Sequence, residues 1–227
     1  MASLSAYSYS LFDVKDIAAF APHFNNEADL LGFNVTVPYK QAIVPFLAAL
    51  SPEAEAIGAV NTVVYTPAGW LGHNTDASGF AKALLAWHPG PLPASALVLG
   101  TGGAAKAVVY ALAQLGVQAK CVSRTKNAKC FTYKELTPDM VAAYGLIINA
   151  TPVGMFPNIE AMPSLPIKAI ASNHTVIDLI YNPAETQLLA AAKKQGATTL
   201  NGLPMLIAQA EAAGDIWFGR GWQANAC

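Results

Sequence analysis

The chain has 227 residues, 54% hydrophobic and only 12% charged, with 13 Lys+Arg against 14 Asp+Glu for a formal net charge of −1. That balance, with no basic cluster, argues against nucleic acid or an anionic membrane surface as partner and leaves a small-molecule ligand. A mean hydropathy of +0.36 raises the question of a membrane protein. However, the longest apolar-rich stretch, Met140 to Ile159, contains Gly145, Pro152, Gly154 and Pro157, which a spanning helix of about 20 residues does not tolerate.

In chain order, Ser8 to Val14 and Phe33 to Val37 are predicted strands. Asn61 to Tyr65 is a third, followed by a turn at Pro67 to Gly69, and Asp76 to Ala86 fits a helix. Three prolines and a glycine between Trp87 and Pro93 forbid regular structure and mark a domain junction. Beyond it, β-branched runs alternate with helical stretches, as in βαβ units on a parallel sheet. Ala96 to Leu99 is a strand, Ala104 to Leu115 a helix stopped by Gly116, and Val117 to Val122 the next strand. Leu146 to Asn149 and Thr175 to Ile180 are buried-strand candidates. Helices are expected at Ala184 to Gln195, ended by Gly196, and at Leu203 to Phe218. The domains are thus 1–88 and 89–202, with 203–227 packing back on the first.

No basic region followed by an apolar one opens the chain, so a cytoplasmic location is expected. Cys121, Cys130 and Cys227 lack disulfide or metal-ligand spacing, which predicts reduced structural thiols and no metal site.

Gly100-Thr101-Gly102-Gly103-Ala104-Ala105 follows a predicted strand and opens a helix, matching G-x-G-x-x-G/A through Gly100, Gly102 and Ala105. Small residues are needed there so that backbone N–H groups at the helix start can approach a pyrophosphate. The next strand ends in Ser123-Arg124-Thr125-Lys126 where an NAD-binding protein would carry a carboxylate. A guanidinium and hydroxyls suit a 2′-phosphate, so NADP is the expected cofactor. A solvated basic loop is the plain alternative.

In the first segment, Asn34-Val35-Thr36-Val37-Pro38-Tyr39-Lys40 puts a lysine beyond a strand, and Asn74-Thr75-Asp76 puts an acid at a helix start. Taken alone, Lys40 reads as a solvated lysine and Asp76 as an N-cap. Together with Gly58-Ala59-Val60-Asn61-Thr62 they form a pattern that resembles the shikimate dehydrogenase family. The resemblance runs from about Ser10 to Trp217. It continues through Asn149-Ala150-Thr151-Pro152 with Gly154-Met155, then Asp178-Leu179-Ile180-Tyr181-Asn182-Pro183, then Asn201-Gly202-Leu203-Pro204-Met205 with Gln209.

The resemblance implies an α/β fold, a substrate domain plus a Rossmann-like NADP-binding domain, with the C-terminal helix returning to the first. It implies reversible NADP-linked reduction of 3-dehydroshikimate to shikimate, with Lys40 and Asp76 as the catalytic pair. By the same transfer Thr36, Asn61, Tyr181 and Gln209 hold the substrate. Gly100, Gly102, Gly103, Ala104, Ser123, Arg124, Thr125, Lys126, Thr151, Ile180 and Gly202 line the cofactor path. Monomer and homodimer both remain open.

One departure stands out. Family members carry a further strand and helix before this point, with a Ser-x-Ser pair for the substrate carboxylate. Ser3-Leu4-Ser5 spells that pair without its helix and reads as a coincidental match, so the first domain is expected to be shortened. Two alternatives follow from this: a non-catalytic NADP-binding module, or a dehydrogenase of quinate or another polyol acid.

Overall fold

The computed structural model describes residues 7–20, 29–88 and 90–219. Ser3 and Ser5 lie outside the described residues. Among the described residues there are two sheets, a four-stranded one built before residue 74 and a six-stranded one built after residue 94.

The first sheet has β1 (Gly32–Asn34), β2 (Ala49–Leu50), β3 (Thr62–Thr66) and β4 (Gly69–His73) in the order β1-β3-β4-β2. β3 pairs antiparallel with both β1 and β4, whereas β2 lies parallel to β4. Val35, Ile43, Val60, Val63 and Trp70 form its core. A short helix α1 (Ile17–Phe20) precedes the sheet. Helix α2 (Pro52–Ile57) starts on Ser51, whose Oγ accepts from Ala54 N at 3.2 Å, and ends on Gly58 with φ +66°. Both are standard end signals.

Ser8 to Val14 is not a strand. Among the described residues the segment has no ladder partner, and Tyr9, Leu11 and Phe12 stand 67%, 90% and 63% exposed. It is tied to the first sheet through side chains instead, Tyr9 donating to Asn34 Oδ1 at 3.0 Å and Tyr39 to the Val14 carbonyl at 2.8 Å. The strand expected at Phe33 to Val37 is displaced and cut to Gly32–Asn34, because residues 37–43 form consecutive turns. The expected turn at Pro67 to Gly69 joins β3 to β4, and Gly69 already belongs to the strand.

Helix α3 (Asp76–Trp87) leads to the second sheet, made of β5 (Ser95–Leu99), β6 (Gln118–Ser123), β7 (Cys130–Thr132), β8 (Leu146–Asn149), β9 (Thr175–Asp178) and β10 (Thr198–Leu200). All its pairings are parallel, in the order β10-β9-β8-β5-β6-β7. Ala96 to Leu99 and Leu146 to Ile148 are fully buried. A parallel sheet covered on both faces requires such continuous apolar runs. One face packs with α3 and α4 (Gly103–Gln114), the other with α5 (Pro138–Ala142) and α6 (Gln187–Lys194). Helix α6 starts three residues later than expected, because Thr186 caps it by accepting from Leu189 N.

The chain leaves β5 toward β6 on one side, and returns to β8 on the other. The crevice at the carboxyl ends of β5 and β8 is therefore the switch point where open α/β sheets bind ligands. The last helix, α7 (Leu203–Phe218), joins the two halves. It lies so close to α3 that a Cβ on Gly79 would meet Gln209 N and Cβ at 2.8 Å. Its far end is tied to the first sheet by Trp217 Nε1, which donates to the Val63 carbonyl at 2.9 Å.

Candidate active site

Lys40 leaves a run of turns with its carbonyl anchored by Val60 N at 2.7 Å. Its ammonium donates to Asp76 Oδ2 at 2.7 Å, with the two side chains 14% and 5% exposed. Asp76 is the first residue of α3, but it does not cap that helix. Asn74 does so, accepting from Ala77 N while its amide donates to the Ala59 carbonyl at 2.9 Å. This division of labour leaves the Asp76 carboxylate free to turn toward Lys40.

Asn61, 3% exposed, is the hub beside this pair. Its two amide hydrogens are shared among Thr75 Oγ1 at 2.9 Å, Asp76 Oδ1 at 3.1 Å and Gln209 Oε1 at 3.2 Å. Its carbonyl oxygen accepts from Thr75 N at 2.7 Å and Thr62 Oγ1 at 3.2 Å. Gln209 reaches this cluster from α7 across 148 positions of sequence. Lys40, Asn61, Asp76 and Gln209 therefore meet at one polar spot. Thr36 and Tyr181 are exposed and take no part in the hydrogen-bonded cluster. Thr75, which the sequence reading did not single out, is a working member through both its N–H and its hydroxyl. The Asn74-Thr75-Asp76 string was the signal for it. His73 lies next to the site, half buried, and burial pulls its pKa below the usual histidine range.

The glycine turn comes up against the same lysine. A Cβ on Gly103 would sit 2.8 Å from Lys40 Cβ. Gly100 has φ +112°, a region that favours glycine, and a Cβ there would meet Thr151 Cγ2 at 3.1 Å. A Cβ on Gly102 would meet nothing within 4 Å, and no side chain caps α4. Ala104 follows in the first turn. This is an open cradle of backbone N–H groups at a helix start, and it fits a pyrophosphate.

At the end of β6, Ser123 is 7% exposed and its Oγ accepts from Thr125 N at 3.2 Å. Arg124 is exposed and, among the described residues, in no ion pair. Lys126 is engaged with Glu135 at 3.3 Å. On the other side of the crevice, Thr151 donates N–H and Oγ1–H to Asn149 Oδ1 at 3.1 and 2.6 Å. Asn149 in turn donates to Asp178 Oδ1 at 3.0 Å. Asp178 is fully buried and also accepts from Ile180 N at 3.1 Å and Thr186 Oγ1 at 2.7 Å. Burial pushes its pKa above the usual carboxylate range against those bonds. Ile180 accepts from Gly202 N at 3.0 Å, and Gly202 leaves no room for a Cβ against the Leu179 carbonyl. The sequence reading missed the role of Asp178: nothing local marks it as the post on which Thr151 and Ile180 both hang.

Among the described residues no group of His, Cys, Asp or Glu could hold a metal ion, and no helix is long and apolar enough to cross a membrane. A parallel sheet whose glycine turn comes up against a lysine–carboxylate–amide cluster, gathered from a turn, the residue before β3, α3 and α7, defines the class of two-domain, nucleotide-linked dehydrogenases.

Known proteins narrow this further. The family model described as the shikimate dehydrogenase substrate binding domain matches residues 2–63. The shikimate dehydrogenase (NADP(+)) of Crocosphaera subtropica is 40% identical over 207 residues, covering 83% of this chain and 72% of that protein. That of Methanococcus maripaludis is 38% identical, covering 94% and 82%. The crystal structure of shikimate 5-dehydrogenase from Thermus thermophilus in complex with NADP(H) and shikimate superposes with a TM-score of 0.80 at 34% identity, covering 90% of this chain and 80% of that one. The chain belongs to the shikimate dehydrogenase family.

Proposed function

We propose that the protein is an NADP-dependent oxidoreductase that interconverts shikimate and 3-dehydroshikimate, with Lys40 and Asp76 as its catalytic pair. The observation that carries this reading is the 2.7 Å Lys40–Asp76 contact inside a cluster that also holds Asn61 and Gln209, with the glycine turn packed against Lys40.

Bound NADP would supply the hydride acceptor or donor. The chain's own residues position, orient and move a proton. Backbone N–H groups of Gly102, Gly103 and Ala104 take the pyrophosphate, with Gly100 making the turn. Ser123, Arg124, Thr125 and Lys126 take the 2′-phosphate, Arg124 as a two-pronged donor. Thr151, Ile180 and Gly202 floor the crevice.

Lys40 Nζ holds a proton within reach of the substrate's reacting oxygen and gives it up on reduction, a contribution of roughly 10²- to 10⁴-fold. Asp76 keeps the ammonium in place and accepts from a neighbouring hydroxyl. Asn61 and Gln209 each present an amide that can donate to one hydroxyl and accept from the next, which suits a polyol ring. Thr36 and Tyr181 close the rim over it.

The decisive experiment incubates the full chain with NADP and shikimate and follows NADPH. Turnover of shikimate well above that of quinate is expected. A folded sample that binds NADP but turns over neither polyol overturns the reading in favour of a non-catalytic module, and preference for quinate reassigns the substrate.

A further inference from the structure

We infer that Cys121 and Cys130 form a dithiol site that closes to a disulfide by exchange with a low-molecular-weight disulfide, and that closure restrains the loop between them. Nine positions apart in sequence, the two residues are direct partners in the β6–β7 ladder. Neighbouring strands run about 4.8 Å apart, inside the roughly 4.4–6.8 Å of Cα separation that a disulfide spans. Register partners project on the same face, here the α4 side, where Cys121 packs beside the core around Val98. Both thiols are free and partly exposed.

β7 is a three-residue edge strand held on one side only, so it can shift to let the sulfurs meet. Cys121 is the poorer starting nucleophile, because burial and the neighbouring Cys130 push its thiol up to about 11. The exchange therefore begins at Cys130, whose thiolate attacks the reagent's sulfur and releases one thiol. Cys121 then loses its proton and attacks the Cys130 sulfur of the mixed disulfide, releasing the second thiol. Two protein S–H bonds and one reagent S–S bond are exchanged for one protein S–S bond and two reagent S–H bonds.

The bridge would close over residues 122–129, which carry Ser123, Arg124, Thr125 and Lys126. If these hold the cofactor's 2′-phosphate, as proposed above, oxidation acts on NADP selection; the bridge itself does not depend on that reading.

The test treats the full chain with oxidised glutathione, alkylates, and maps peptides by mass. A Cys121–Cys130 link, lighter by two hydrogens and reversed by dithiothreitol, is expected. Amide exchange across 124–129 should then slow by at least about 5-fold, the low end of ordinary coupling, and this slowing should be absent in Cys130→Ser. Two alkylatable thiols, a glutathione adduct that stays on Cys130, or a link to Cys227 overturns the site. A link that leaves loop exchange unchanged overturns the restraint. Failure of NADP to bind in either redox state would count against the proposed function and leave the bridge standing.

Discussion

Gly102→Ala separates cofactor binding from folding more cleanly than any other single change. Gly102 has φ −75° and ψ −175°, which alanine adopts without strain, and its Cβ would meet nothing within 4 Å. The free protein should therefore keep its stability or gain about 0.4–1 kcal/mol through a less flexible unfolded chain. The same empty volume lies beside the N–H groups that start α4. A methyl group there holds a pyrophosphate away from two of those donors, each worth about 1.5–3 kcal/mol toward a charged acceptor. Together that is a loss of roughly 10²- to 10⁴-fold in NADP affinity. Fluorescence titration of NADP, paired with urea unfolding of the free protein, reads both quantities. Unchanged NADP affinity in a normally stable variant would refute the cradle.

The remaining predictions probe the neighbouring contacts. Gly103→Ala puts a methyl 2.8 Å from Lys40 Cβ, and a 1 Å displacement of a catalytic group costs up to about 10²-fold; kcat should fall more than the NADP affinity. Gly79→Ala meets the backbone of Gln209, so α7 must shift at about 1–3 kcal/mol, lowering Tm and raising KM for the polyol. For Asp178, a folded-state pKa raised above the unfolded value means that the folded state binds more protons between the two, so wild-type stability falls as pH rises through that interval. Asp178→Asn removes this slope, and urea unfolding on either side of the interval should show the variant gaining on the wild type as pH increases. An unchanged slope would refute the assignment.

The second half of the fold was legible because its physics is local. A strand buried on both faces must be a continuous apolar run, as at Ala96 to Leu99, and glycine must follow where the backbone takes φ +112°. The first half was not, because its short strands are set by pairing. Ala49–Leu50 is a strand only because β4 lies beside it, and Ser8 to Val14 is not one because, among the described residues, no strand pairs with its backbone. Helix α2 carried its own signals in Ser51, Pro52 and Gly58, which the reading passed over.

The same divide runs through the site. The family resemblance pointed to Lys40, Asn61, Asp76 and Gln209, which share one cluster. Nothing in spacing shows that Gly103 touches Lys40, that Asp178 supports Thr151 through Asn149, or that Cys121 faces Cys130. Those contacts exist only once two elements distant in sequence are packed together.

The most direct test of the account is the turnover of Lys40→Ala with saturating NADP and shikimate. A fall in kcat of roughly 10²- to 10⁴-fold with NADP affinity held is the predicted result. Retention of wild-type kcat in the variant would contradict the assignment of Lys40 as the group that carries the proton.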